Sequence, residues 1–182
     1  LKTQSAKVAP LVSGVVAFAF GTPSTIPPNM FIAEIARDAS RHLGQPDHRL
    51  LPVFTQANVR IESIGQLDIP VEYLSESSRH TPTTLQVARG AVRWAIRQGV
   101  NRIIVVAAKP HLRRCMRDLT ATIREVGADI EVTYSRAVNK VPLEYWFCAD
   151  SRQTRTRSWG KWWSREAAMK FMPFFLYRLL SS

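Results

Sequence analysis

Two rhythms of apolar residues divide this chain. One is a short stretch of five or six residues, seen at Val15 to Phe20, Arg49 to Phe54, Ile69 to Leu74, Ile103 to Ala108 and Ile130 to Tyr134. Length and β-branched or aromatic content predict strands there, the second weakened by Pro52. The other rhythm repeats every three or four residues, the spacing of one helical stripe. It runs through Phe31, Ile32, Ile35, Ala36, Ala39 and Leu43, through Leu85, Ala88, Val92, Ala95 and Ile96, and through Leu112, Cys115, Met116, Leu119 and Ile123. A weaker version over residues 57–67 uses Val59, Ile61, Ile64 and Leu67 and is interrupted by Gly65. Strands alternating with helices predict an α/β domain of three layers, with a mostly parallel sheet of about five strands covered on both faces.

The punctuation fits that pattern. Gly44, Gly99 and Gly127 each follow a helical stretch, where a left-handed cap belongs. Thr81 reads as an N-cap with Pro82 at the first helical position. At Lys109-Pro110 a buried strand feeds straight into a helix, because Pro suits a first turn. His111 and Arg114 then share one face of its opening turns. Free N–H groups and the helix dipole favour an anion at such a mouth. In parallel sheets the ligand crevice lies beyond the carboxyl ends of the strands, where strand order reverses. The loops 21–29, 75–84 and 108–111 are therefore expected to converge.

Several readings of these residues stand side by side. Gly21, Thr22 and Ser24 offer small side chains and hydroxyls that suit a phosphate cradle. Without the Walker or dinucleotide spacing, they equally suit a plain connection. His111 and Arg114 suit a phosphate or carboxylate; alternatively His111 caps backbone and Arg114 pairs with Asp118 four residues on. Lys109 is either a further cation of the site or a solvated lysine. His80 and His111, with Glu76 orienting one of them, would suit acid–base work on a phosphoester. The four histidines, 42, 48, 80 and 111, lack metal-ligand spacing, and no metal is expected. Arg89, Arg93 and Arg97 form a row that reads as a solvated helix face.

Charge changes the picture at one end. The chain has 182 residues, 46% apolar and 21% charged, as for one ordinary globular domain, yet its net charge is +11. Residues 151–182 carry seven Lys or Arg against Glu166 alone, so this segment supplies +6. It divides the chain into a core, 1–150, and a basic segment, 151–182, whose helix is expected to pack on that core. There Trp159, Trp162 and Trp163 interleave with Lys161 and Arg165, ahead of Ala167, Ala168, Phe171, Met172, Phe175, Leu176 and Leu179. Pro173 should kink that last helix. Aromatics among cations suit an anionic membrane surface, assigned to residues 152–178, with nucleic acid ranked behind it. Docking on the sheet is the plain alternative.

Cys115, on an apolar stripe, and Cys148 form no metal or disulfide signature. No stretch reaches the roughly 20 apolar residues of a membrane span. The stretch Val8 to Phe20 is too short and holds Pro10 and Gly14. A chain starting at Leu1 leaves room for an upstream targeting or membrane segment.

The order of these motifs resembles the bacterial DUF218 family, the YdcF-, SanA- and ElyC-like proteins. An apolar strand runs into a Gly loop (VVAFAFGTP, from Val15), and a polar loop with Thr precedes a helix (SRHTPTTL, from Ser78). A strand then ends in a His with an Arg three residues on (IIVVAAKPHLRR, from Ile103), and Arg165-Glu166 opens the last helix. The likeness spans residues 15 to about 180. Where the family has Ser-Gly-Gly this chain has Thr55-Gln56-Ala57, Thr84 replaces an Asn, and Glu34 stands near the place of an early Arg. The resemblance implies a Rossmann-like domain, S-adenosylmethionine as a candidate cofactor, and a bacterial cytoplasmic or envelope-associated setting in lipid-carrier metabolism.

Taken together, these readings give a domain binding a small anionic or nucleotide-like ligand through Gly21, Thr22, Ser24, Thr81, Thr84, Lys109, His111 and Arg114. A membrane-surface or scaffold protein acting through the basic tail is the alternative. A phosphoester hydrolase or an enzyme using S-adenosylmethionine is a third reading.

Overall fold

The computed structural model describes residues 11–42, 50–61, 69–74, 81–171 and 176. In chain order come β1 (Ser13–Ala17), α1 (Pro27–His42), β2 (Val53–Thr55), β3 (Val71–Tyr73), α2 (Thr84–Gln98), β4 (Arg102–Val106), α3 (Lys109–Val126) and β5 (Glu131–Tyr134). Three 3-10 turns follow among the described residues, Arg136–Lys140, Leu143–Trp146 and Thr154–Thr156, and then α4 (Trp159–Phe171). Among the described residues every strand pairing is parallel, and the order across the sheet is β3-β2-β1-β4-β5. This is a single Rossmann-like domain.

The continuous apolar strands have a simple cause. Successive side chains point to opposite faces, so a strand covered on both sides is apolar at every position. In β1, Val15 and Ala17 join the core on the α1 side, while Val16 and Phe18 join the core of α2 and α3. The segment through β4 alternates likewise, Ile104, Val106 and Ala108 against Ile103, Val105 and Ala107. β1 and β4 are paired from Ser13↔Arg102 to Ala17↔Val106, so their carboxyl ends are level. Strand order reverses between these two, and their ends open on one crevice.

Some boundaries differ from the sequence expectation. Thr83, and not Thr81, caps α2, and the capping box is complete because Gln86 answers the Thr83 backbone N–H. Gly99 and Gly127 are left-handed caps, as expected. Residues 57–61 form a turn where a helix was expected, and the rest of that stretch, like Gly44 and Arg49, lies outside the described residues. Arg97 is less solitary than a solvated row implies, since it pairs with Glu72 of β3.

Gly14 shows how closely the layers approach. A Cβ built there would lie 2.6 Å from the indole of Trp94, which is 1% exposed and rigid. Gly14→Ala should therefore cost about 1–3 kcal/mol through overpacking, measured as a lower urea midpoint with an unchanged slope.

Candidate functional site

The crevice at the ends of β1 and β4 holds a cavity of about 40 Å³. That volume would take about three waters. An acidic head group is a suitable size, and a larger ligand would have to extend outward. Four segments wall it: Phe20 and Gly21 after β1, Gln56 after β2, Thr81, Pro82 and Thr84 at the opening of α2, and His111 and Arg114 in α3. Gln153, Arg155, Thr156 and Trp162 close it from the C-terminal segment. The described parts of all three expected loops do meet. Glu76 and His80 lie outside the described residues, so the paired-histidine reading falls there too.

The loop after β1 is a wall held rigidly from within. Asn29, 1% exposed in α1, accepts the Phe20 N–H at 2.8 Å and donates to the carbonyls of Gly21 and Pro23 at 3.1 and 3.0 Å. The Thr22 N–H meets Ser151 Oγ at 3.4 Å. These two backbone donors are thus engaged inside the protein. Gly21 has φ +97°, and a Cβ on it would come within 2.8 Å of both Ser151 Oγ and Thr156 Oγ1. Its lack of a side chain lets the C-terminal segment seat against the loop. Gly21 lines the cavity, whereas Thr22, Ser24 and Lys109 do not. Lys109 lines a separate groove, to which Arg114 also contributes.

At the centre, His111 and Arg114 are only 5% and 8% exposed. Both belong to the buried stripe of α3, which the three-residue spacing dictates. Arg114 Nη2 lies 3.2 Å from His111 Nδ1. A guanidinium can only donate, so Nδ1 must accept and the ring proton sits on Nε2. Nε2 then faces Thr84 Oγ1 at 3.4 Å. The ring is wedged among Phe18, Phe20 and Trp162, with Trp162 edge-on at 5.3 Å. Burial first, and then the nearby charges of Arg114, Arg155 and Arg165, hold the His111 pKa well below its ordinary value. His111 is therefore neutral at pH 7. It serves as a hydrogen-bond donor through Nε2, and its basic nitrogen is already occupied.

Arg114 is held by partners far along the chain. The expected pair with Asp118 does not form: Arg117 takes that carboxylate, and Arg114 Nη1 donates to Glu166 of α4 at 2.5 Å. The local i, i+4 geometry loses because Arg114 turns inward. Its guanidinium lies 5.1 Å from the centre of the Trp162 ring, whose Nε1 donates to the Pro110 carbonyl at 3.3 Å. Arg114 Nε remains buried without a hydrogen-bond acceptor.

Arg155 was not singled out by any sequence pattern, yet it lines the same cavity. Burial, followed by repulsion from Arg165 and Arg114, lowers its pKa to about 10, with Glu166 acting in the opposite direction. Gln56 is 5% exposed and also faces the cavity, at the position where the family resemblance has its Ser-Gly-Gly. No group of three or more His, Cys, Asp or Glu suited to a metal occurs among the described residues. Cys115 is fully buried and free, with its thiol pKa pushed up by that burial, which makes it a packing residue.

Searches against family models, curated proteins and solved structures give no match.

The pH response of His111 follows from its depressed pKa. Below its unfolded value of about 6.5 the unfolded chain takes up a proton that the folded chain refuses. Stability is complete above that pH and falls beneath it, by up to about 1.4 kcal/mol per pH unit. The thermal midpoint should drop between pH 7 and pH 5, and His111→Gln should flatten that slope, as read by scanning calorimetry.

Proposed function

We propose that this domain binds a small anionic or nucleotide-like ligand, with the ligand's acidic group entering the cavity at the ends of β1 and β4. The observation that carries this reading is the charge balance around the cavity. Arg114 and Arg155 both line it, and Arg165 is near enough to shift its neighbours' pKa values, with Glu166 as the one carboxylate that does the reverse for Arg155. A buried N–H on Arg114 without an acceptor is costly, by about 1–3 kcal/mol or more for a charged group. A phosphate or carboxylate would satisfy it, in a two-pronged contact that suits a guanidinium.

The neutral His111 complements this arrangement. Its Nε2 proton, with Thr84 Oγ1 beside it, offers a directional donor to a ligand oxygen without adding a third positive charge. Glu166 meanwhile occupies part of the Arg114 guanidinium that a ligand would engage, and so acts as an internal competitor. The DUF218-like order of motifs supports the same place for the ligand, and that likeness extends the proposal to envelope or lipid-carrier metabolism.

Inorganic phosphate, pyrophosphate, mononucleotides and S-adenosylmethionine, screened by thermal shift and titration calorimetry, test the reading. A ligand at a hundred times its dissociation constant adds about 2.7 kcal/mol, which moves the midpoint by several degrees. Arg155→Ala should weaken the binding about 10- to 100-fold, the worth of one charge-assisted hydrogen bond. Glu166→Gln should lower the unliganded midpoint and raise ligand affinity, because it removes the competing carboxylate. If no acidic compound stabilises either the wild type or Glu166→Gln, the proposal is wrong.

A further inference from the structure

Trp159, Trp163, Leu143 and Tyr145 are 50%, 44%, 42% and 57% exposed, and nothing in the anion cavity accounts for them. Leu143, Trp159 and Trp163 line an open groove of about 650 Å³ together with Lys109, Arg113 and Arg117 of α3, of which Arg117 is paired with Asp118. The cations lie four residues apart, so the helical repeat sets them along one face. Among the described residues, Glu166 is the one acidic residue lining the groove. Trp162, which the sequence grouped with its neighbours, also lines the groove, but it is 4% exposed and packs against Phe20, so it offers little surface there.

We propose that this face of α3, the Leu143–Trp146 turn and α4 docks the protein on an anionic lipid bilayer. A clustered apolar patch edged by cations differs from singly scattered surface residues and marks an interaction site. Indole rings favour the water–hydrocarbon boundary, where the ring is buried and its N–H stays wet. The basic wall matches anionic head groups, each Lys or Arg near the surface strengthening binding about five-fold. No described helix is long and apolar enough to cross a membrane, so the contact lies in the interface plane.

A lipid surface fits this face better than a nucleic acid does. Trp159 and Trp163 stand edge to face, with centroids 6.3 Å apart at 89°, so part of the ring surface on which bases would stack is taken up by the pair. Leu143 contributes aliphatic surface, which suits acyl chains. The sequence beyond α4, Met172 to Leu180, carries Arg178 as its one charge, again a composition for hydrocarbon.

The test is co-sedimentation of the full chain with vesicles of phosphatidylcholine, with and without a one-third share of phosphatidylglycerol, at low and high salt. The expected result is binding to the anionic vesicles alone, lost at high salt, with tryptophan emission shifted to the blue. The double variant Trp159→Ala, Trp163→Ala should bind at least ten-fold more weakly at an unchanged thermal midpoint. Arg113→Glu, on α3, should also weaken binding and serves as the second variant should the double variant fail to fold. Equal binding to both vesicle types, or wild-type binding by Arg113→Glu, would overturn the proposal. So would tighter, tryptophan-dependent binding to a single-stranded oligonucleotide. None of these outcomes depends on whether the cavity takes a ligand.

Discussion

An arginine cannot relieve its own burial by giving up its proton, so its surroundings must supply the compensation. Arg114, 8% exposed at the mouth between β1 and β4, sets this condition for the whole site. Glu166 has to reach it from another helix, His111 has to turn its bare nitrogen toward it, and Trp162 has to lie against its guanidinium. Each of those demands fixes something larger. Glu166 and Trp162 tie α4 to α3, and the histidine is locked into one tautomer with its other nitrogen toward Thr84. A buried ion pair is weak support for stability on its own, since desolvation offsets much of the attraction. Its significance here is positional: it holds a strongly polar group where a parallel sheet of this order presents ligands.

The basic character of the chain also has two separate origins. The arginines at the cavity are inward, and burial, with the charges of Arg165 and Arg114, lowers the pKa of Arg155. Lys109 and Arg113 of the α3 groove are exposed beside exposed indoles, while Arg117 there is paired with Asp118. Salt would screen the second group far more than the first, because buried charges are poorly reached by counterions. A single net charge therefore conceals two kinds of electrostatics that meet at Arg114.

Much of the fold could be read from local pattern, because a doubly covered sheet leaves a direct trace. The runs at Val15 and Ile103 are continuous since each residue meets one core or the other, and the glycine caps at 99 and 127 follow from a left-handed requirement. Local ambiguity explains the misplaced cap. The sequence offers Thr81 and Thr83 around one proline, and Gln86, three residues after Thr83, was the deciding signal. The site was only half legible. Gly21, Thr84, His111 and Arg114 stand at strand ends or helix openings, which the rule for parallel sheets singles out. Arg155 and Gln153 lie in a segment without any period, and Glu166 is 52 residues from Arg114, so no spacing rule connects them. The three tryptophans were inseparable for a related reason: residues three and four apart share a helix face, and only the packing of Phe20 selects Trp162.

The contact between Thr22 and Ser151 joins positions 129 residues apart, one at the first strand's exit and the other beyond β5. During synthesis the sheet, all of which lies before residue 135, can assemble while this partner is still within the ribosome. The wall of the cavity formed by Gln153, Arg155 and Thr156, and the Glu166 that meets Arg114, arrive only afterwards. The crevice is thus laid down early and enclosed last. A nascent chain would carry its core well before it carried a finished site, and the emergence of residues 151–166 would itself be the step that closes it.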